Sequence, residues 1–290
     1  MELNDNVLFS GTNFAEKARF VSTLNYLSGF EPEKALIPNT HESCRILFPS
    51  YSTTTLTLKI ELNKNRPISV VTLAKVNLTQ NSQWSIVLKT KEGGTTLYSS
   101  GLMNVFIATD SYGTDDWGDF NWGGLTSSEN FKDFSVNAIH ALDDSVCAGY
   151  IEINIIANDA SLPYFETYLI WVGDAFQPER NADYGAEIVL LEDTESKTAR
   201  SGNRTYGSPI RRRAISVELN EVHKDEVFRK IFGPILQSKG MSKLMLVVMT
   251  PSDMDTLMYQ SLIGNLTNTQ KVTHSVWNRL NVALEYEESP

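Results

Sequence analysis

Between Thr109 and Gly124 the chain sets Asp110, Asp115, Asp116 and Asp119 among Tyr112, Trp117, Phe120 and Trp122, with Gly113, Gly118, Gly123 and Gly124 as spacers. Carboxylates gathered with backbone carbonyls can hold Ca²⁺, and apolar ring faces beside polar groups can hold a sugar. The spacing departs from the Ca²⁺ loop pattern D-x-[DN]-x-[DN]-G-x₅-E, because Asp115 and Asp116 are adjacent. No metal ligand set is therefore assigned, and Asp115, Asp116, Trp117 and Trp122 stand as candidates for a glycan site or an interface. The simpler reading folds the tryptophans back onto their own domain or buries them against a partner subunit, since Trp and Tyr are common interface anchors. The second candidate is Arg211-Arg212-Arg213, which could take a phosphate or an acidic partner surface. The simpler alternative leaves these arginines solvated or neutralised by carboxylates of the same chain, with Glu192 and Asp193 the nearest in sequence.

Other chemistries leave no trace in the sequence. No Gly-rich run followed by Lys and Ser or Thr is present to cradle a phosphate. No G-x-S-x-G turn is present to expose a nucleophilic serine. His41, His140, His223 and His274 are far apart and lack metal-ligand spacing. With no recognisable acid, base or nucleophile constellation, the expectation is a protein that is not an enzyme and needs no cofactor.

The elements that must position these residues fall into two bodies. Leu56, Leu58, Ile60 and Leu62 alternate with Thr57, Lys59 and Glu61, as in a half-buried strand. Pro67 opens a second, mostly apolar run from Ile68 to Val76. Trp84 to Thr90, Phe131 to Ile139, Tyr150 to Ile156 and Tyr164 to Val172 read as further strands, with a tight turn at Gly93-Gly94. Strands of this length separated by turns predict an antiparallel sandwich. Ahead of it, Phe14 to Leu27 has Phe14, Ala18, Val21 and Leu24 spaced for one helical face, stopped by Gly29.

Gly173 to Pro209 has the composition of an irregular connector, apart from a short apolar run at Ile188 to Leu191. Ile215, Val217 and Leu219 then alternate as a strand. His223 to Leu236 predicts an amphipathic helix buried through Val227, Ile231 and Ile235, with Gly233-Pro234 ending or kinking it. Leu244 to Met249, Leu257 to Leu266 and Lys271 to Glu285 complete a small α+β body. The expected organisation is an arm over 1–34, a sandwich over 35–175, a linker over 176–210 and an α+β domain over 211–290. The fold class is mainly β.

Length and charge narrow the function classes. The chain has 290 residues, enough for two cores, with 41% hydrophobic and 21% charged residues. A net charge of -10 argues against a nucleic-acid-binding surface spread over the whole protein. No basic, apolar leader opens the sequence, and no apolar run approaches the roughly 20 residues of a membrane span. Cys44 and Cys147 form no disulfide framework, and whether they pair is open at this level.

At the junction of the two bodies, Ile170-Trp171-Val172-Gly173-Asp174-Ala175-Phe176-Gln177-Pro178 is followed by Asn181, Tyr184-Gly185, Arg200-Ser201-Gly202 and Tyr206-Gly207. This resembles the domain junction of structural tail proteins of long-tailed bacteriophages. Val76-Asn77-Leu78-Thr79 is similar to an H-N-L-S turn of that family, with Val76 in place of the histidine. Leu97-Tyr98-Ser99-Ser100-Gly101 and the closing Trp277 to Glu288 segment are also similar. The resemblance covers residue 35 onward and implies an N-terminal jelly roll of the galactose-binding type followed by a small α+β domain. It implies a virion component at the distal tail or baseplate, made in the host cytoplasm. Its partners would be other phage tail proteins and copies of itself in a ring. A carbohydrate-binding adhesin recognising a host-surface glycan through the acidic aromatic loop is the alternative.

Overall fold

The computed structural model describes residues 3–38, 41–49, 55–79, 82–105, 136–158, 162–182, 186–193, 196–198, 200–201, 204–207, 210–253, 256–267 and 271–289. In chain order the strands are β1 (Leu8–Asn13), β2 (Arg19–Phe20), β3 (Cys44–Leu47), β4 (Thr55–Ala74), β5 (Gln83–Lys89), β6 (Thr96–Ser99) and β7 (Met103–Asn104). They continue with β8 (Ala138–Ile156), β9 (Tyr164–Thr167), β10 (Leu169–Phe176), β11 (Glu187–Asp193), β12 (Ser196–Thr198), β13 (Arg204–Tyr206) and β14 (Ile210–His223). A helix follows, α1 (Lys224–Glu226) running on as a π-helix over Val227–Gln237, and then β15 (Met245–Val248), β16 (Ser261–Leu266), β17 (Lys271–Val276) and β18 (Arg279–Glu288). The protein is mainly β, and every strand pairing with a defined register is antiparallel.

The chain divides into two units. Unit 1 holds residues 1–5, 12–175 and 250–261; unit 2 holds 6–11, 176–249 and 262–290. Two short segments cross the simple sequence order: 6–11 adds to unit 2 and 250–261 adds to unit 1.

Unit 1 is an antiparallel jelly-roll sandwich built on one long strand pair, β4 with β8. The first half of β4 alternates as its sequence predicts, with Leu56, Leu58, Ile60 and Leu62 buried. It pairs with the second half of β8, which also carries β5. The second half of β4, from Ile68 to Ala74, is buried on both faces and pairs with β10. Between the halves the register shifts, so that residues 62–65 of β4 lie opposite residue 149 of β8. A Cβ on Gly149 would stand 2.4 Å from Asn65 Oδ1 and 2.8 Å from the Thr90 carbonyl, so only glycine fits this corner. The corner lets one strand pair serve two sheets that close on a core containing Trp84, Phe165, Ile151 and Ile170. Pro67 therefore does not open a separate strand. It sits just past the corner, opposite Cys147, within one continuous β4.

Two asparagines fasten this unit. Asn13 donates from Nδ2 to the Ile170 carbonyl at 2.9 Å and accepts the Val172 amide at 2.9 Å. Asn77 donates to the Tyr164 carbonyl at 2.9 Å and accepts the Glu166 amide at 2.8 Å. The side chain of the Val76-Asn77-Leu78-Thr79 turn thus works as a backbone clamp on β9. The expected helix over Phe14 to Leu27 is not formed. Asn13 Oδ1 caps the Ala15 amide at 3.0 Å, a 3₁₀ turn spans Phe14–Lys17, and Arg19–Phe20 then extends along β4. Tertiary pairing overrides a helical spacing too short to hold by itself. Cys44 and Cys147 are free thiols, Cys44 buried and Cys147 exposed. Burial pushes the Cys44 thiol up to about 12.

Unit 2 has the strand order β11-β14-β18-β16-β15-β1, with β17 also paired to β18. The helix covers this sheet through Val227, Ile231 and Ile235, the three positions its periodicity marks. Pro234 lies inside the helix and does not end it. The turns here are wound wide, with Ser238 N–H donating to the Gly233 carbonyl and Gly240 N–H to the Ile235 carbonyl. Among the described residues of 176–210, the stretch read as a linker, β11 forms an antiparallel hairpin with β14, and β12 pairs with β13 between them. The expected single run Lys271 to Glu285 is a hairpin, turned at Trp277-Asn278 with Asn278 at a φ of 61°.

Candidate interaction surface

The three arginines sit at consecutive positions on β14, so their side chains alternate between faces of the sheet. The register places Glu192 opposite Arg211, Leu191 opposite Arg212 and Leu190 opposite Arg213. Arg211 Nε lies 3.5 Å from Glu192 Oε2, with both side chains more than two-fifths exposed. Arg212 pairs with Asp193 on one side and Glu287 on the other. Arg213 is 6% exposed and meets Glu288, itself 7% exposed, with Nη2 to Oε1 at 2.6 Å and Nε to Oε2 at 3.0 Å. Glu288 also accepts the Arg213 backbone amide at 3.2 Å.

The ladder is thus neutralised within the chain, by Glu192 and Asp193 as their nearness suggested, and by Glu287 and Glu288 from β18. Arg213 contributes no surface; Arg211 and Arg212 retain some. The two exposed pairs at the Arg211 end are worth about 0–1 kcal/mol each, whereas the Arg213–Glu288 pair is shielded from water. The signal for Glu287 and Glu288 was in the sequence as a terminal acidic pair. Matching it to the arginines needed the β14–β18 pairing, which sets Ala214 opposite Glu287.

Unit 2 also carries exposed apolar side chains. Of the eleven large hydrophobic residues exposed among the described residues, seven belong to unit 2: Ile188, Val189, Leu190, Phe228, Phe232, Met241 and Trp277. Ile188, Val189 and Leu190 follow one another on β11, so both faces of that strand are apolar and open. Phe228 and Phe232 meet edge to face with centroids 5.6 Å apart, beside the buried stripe of the helix. Trp277 is 90% exposed at the tip of the β17–β18 hairpin. The Ile188 to Leu191 run is apolar in sequence, and its exposure follows from its place at the sheet edge.

Asp115, Asp116, Trp117 and Trp122, the other candidates, lie outside the described residues. In sequence they fall between β7 and β8. Among the described residues, no group of three or more His, Cys, Asp or Glu could hold a metal ion.

One titrating pair in unit 1 has a defined geometry. Tyr98 on β6 and His140 on β8 approach to 2.6 Å between Oη and Nε2, their rings stacked with centroids 5.9 Å apart. Burial holds the His140 pKa below the ordinary histidine value, partly opposed by the charge of Asp143. The unfolded state therefore binds a proton before the folded state does as pH falls through about 6.5. The His140 contribution is complete above that pH and is lost as the solution becomes more acidic. His140→Phe, which keeps a ring against Tyr98, should flatten the stability profile between pH 7 and pH 5 in denaturant titrations. An unchanged profile would show that His140 is not the group responsible.

No protein-family model matches the sequence, and no curated protein matches it. Among solved structures, the chain is similar to the family 32 carbohydrate-binding module of Clostridium perfringens NanJ in complex with galactose, at 12% identity over 57% of this chain and 99% of that one, with a TM-score of 0.37. It is similar to chitosan-binding module 1 of a Paenibacillus chitosanase/glucanase, at 13% identity over 56% of this chain and 99% of the module, with a TM-score of 0.35. A fucolectin from striped bass serum aligns at 9% identity over 97% of this chain and 99% of the lectin, with a TM-score of 0.36.

Proposed function

We propose that this chain is a structural component of a bacteriophage tail, at the distal tail or baseplate, that works by binding protein neighbours and carries out no catalysis. The observation that carries this reading is the concentration of open apolar surface on unit 2, above all Ile188, Val189 and Leu190 on an edge strand. Contiguous exposed apolar surface costs solubility and marks a site meant to be covered. The junction residues Ile170 to Pro178, which resemble those of tail proteins, supply the setting. The protein would be made in the host cytoplasm and end in the virion. Mass spectrometry of purified particles from the source tests this: a fixed, ring-like copy number per particle is expected, and absence from particles would overturn the reading.

A second reading assigns unit 1 to glycan recognition, and the acidic, aromatic composition of Thr109 to Gly124 favours it. Replacing Trp117 and Trp122 together by Ala separates the two. Loss of glycan-array binding with particles intact supports an adhesin. Failed assembly with no glycan signal in the parent protein supports the structural role.

A further inference from the structure

We propose that β11 of one copy docks antiparallel along the outer edge of β17 in a second copy, so that subunits join head to tail. The inference rests on the assembly reading and deepens it by naming the surface and the partner. Strand β11 ends the strand order of unit 2 and is paired on one side by β14, in unbroken register from Glu187 to Asp193. Edge strands are normally protected by a bulge, a proline or a central charge. From Ile188 to Leu191 this strand has none of these. Its residues 188, 189 and 190 are 45%, 42% and 58% exposed. A strand apolar on both faces is ordinarily covered on both.

Charge selects the occupant. Two copies of β11 laid antiparallel about Leu190 would set Glu187 against Asp193 at both ends, and like charges directly opposite are destabilising. Strand β17 offers the complement. It carries Lys271 and His274 and no carboxylate, and Lys271, Thr273, His274 and Ser275 are exposed. It pairs with β18 alone among the described strands. Antiparallel alignment with Val189 facing His274 brings Leu191 to Val272 and Glu192 to Lys271. Trp277, immediately past β17, then offers its exposed ring to the apolar residues of β11. Because the two surfaces differ, each subunit keeps one open edge of each kind, and the contact closes into a ring or continues as a filament.

Sedimentation of the full chain and two variants tests the proposal. Leu190→Lys places a charge at the centre of β11, and Lys271→Glu with His274→Glu reverses the character of β17; all three sites are exposed, and circular dichroism checks folding. The parent protein should self-associate across the micromolar range. Each variant alone should associate about thirtyfold more weakly or worse, the scale of one central interface residue. A 1:1 mixture of the two variants should form dimers, since it retains one intact β11 and one intact β17. A monomeric parent, or a mixture that stays monomeric, overturns the proposal. So does a Lys271→Glu/His274→Glu variant that assembles as the parent does while Leu190→Lys cannot, because β11 would then pair with itself. Particle incorporation is read separately: Leu190→Lys incorporated at the parent copy number removes this interface and leaves the tail reading standing.

Discussion

Arg213→Met should lower the stability of the chain by about 3–5 kcal/mol, the cost of leaving a buried carboxylate without its partner. Glu288 would keep its charge in a site where its side chain is 7% exposed, having lost its contacts with the Arg213 guanidinium. The double variant Arg213→Met/Glu288→Leu removes both charges and should recover most of the loss, because two apolar groups of similar volume need no compensation there. Arg211→Ala provides the comparison. Its pair with Glu192 is widely open to water, so the change should cost less than about 1 kcal/mol. The readout is the denaturant midpoint at constant m-value. If Arg213→Met costs no more than Arg211→Ala, the buried pair does not anchor β18 to β14.

The second large effect is expected at Gly264 on β16. A Cβ there would stand 1.9 Å from the Glu287 carbonyl oxygen, 2.6 Å from its carbon and 3.0 Å from the Glu288 Cα. All three atoms belong to the backbone of β18, which pairs here with β16, Gly264 opposite Glu288. No side-chain rotation relieves such a contact, so the strands must separate. Gly264→Ala should cost on the order of 3 kcal/mol or more, beyond the usual range for an added methyl group. Gly11→Ala is the control, since its Cβ would meet only side-chain atoms at 3.6 Å and beyond. Equal midpoints for the two variants would sink the close-approach argument. Both large effects fall on the end of β18, where Glu287 and Glu288 complete the arginine ladder.

Much of the architecture followed from local pattern. The alternation of Leu56, Leu58, Ile60 and Leu62 and the spacing of Val227, Ile231 and Ile235 each assign a buried face, because side-chain direction repeats with a fixed period in strand and helix. Mainly β character was legible for the same reason. The outcome differed wherever a distant segment decided it. Phe14 to Leu27 has a helical spacing, yet β4 offers pairing that a short isolated helix cannot match. Gly173 to Pro209 has a connector's composition, yet Glu187 to Asp193 finds seven partners on β14. Gly233-Pro234 predicts an end or a kink, and the helix continues past Pro234 by winding wide.

For the candidate surface the division is sharper. Sequence alone determined which residues carry charge and apolar area: Arg211 to Arg213, Ile188 to Leu191, and the closing Glu287-Glu288. Only the tertiary structure decided that Arg213 is buried against Glu288 while Arg211 stays in water, and that Ile188, Val189 and Leu190 remain uncovered at a sheet edge. The physical reason is that burial and ion pairing depend on which strands become neighbours. That choice is made by register between segments some 75 residues apart, and no local period encodes it.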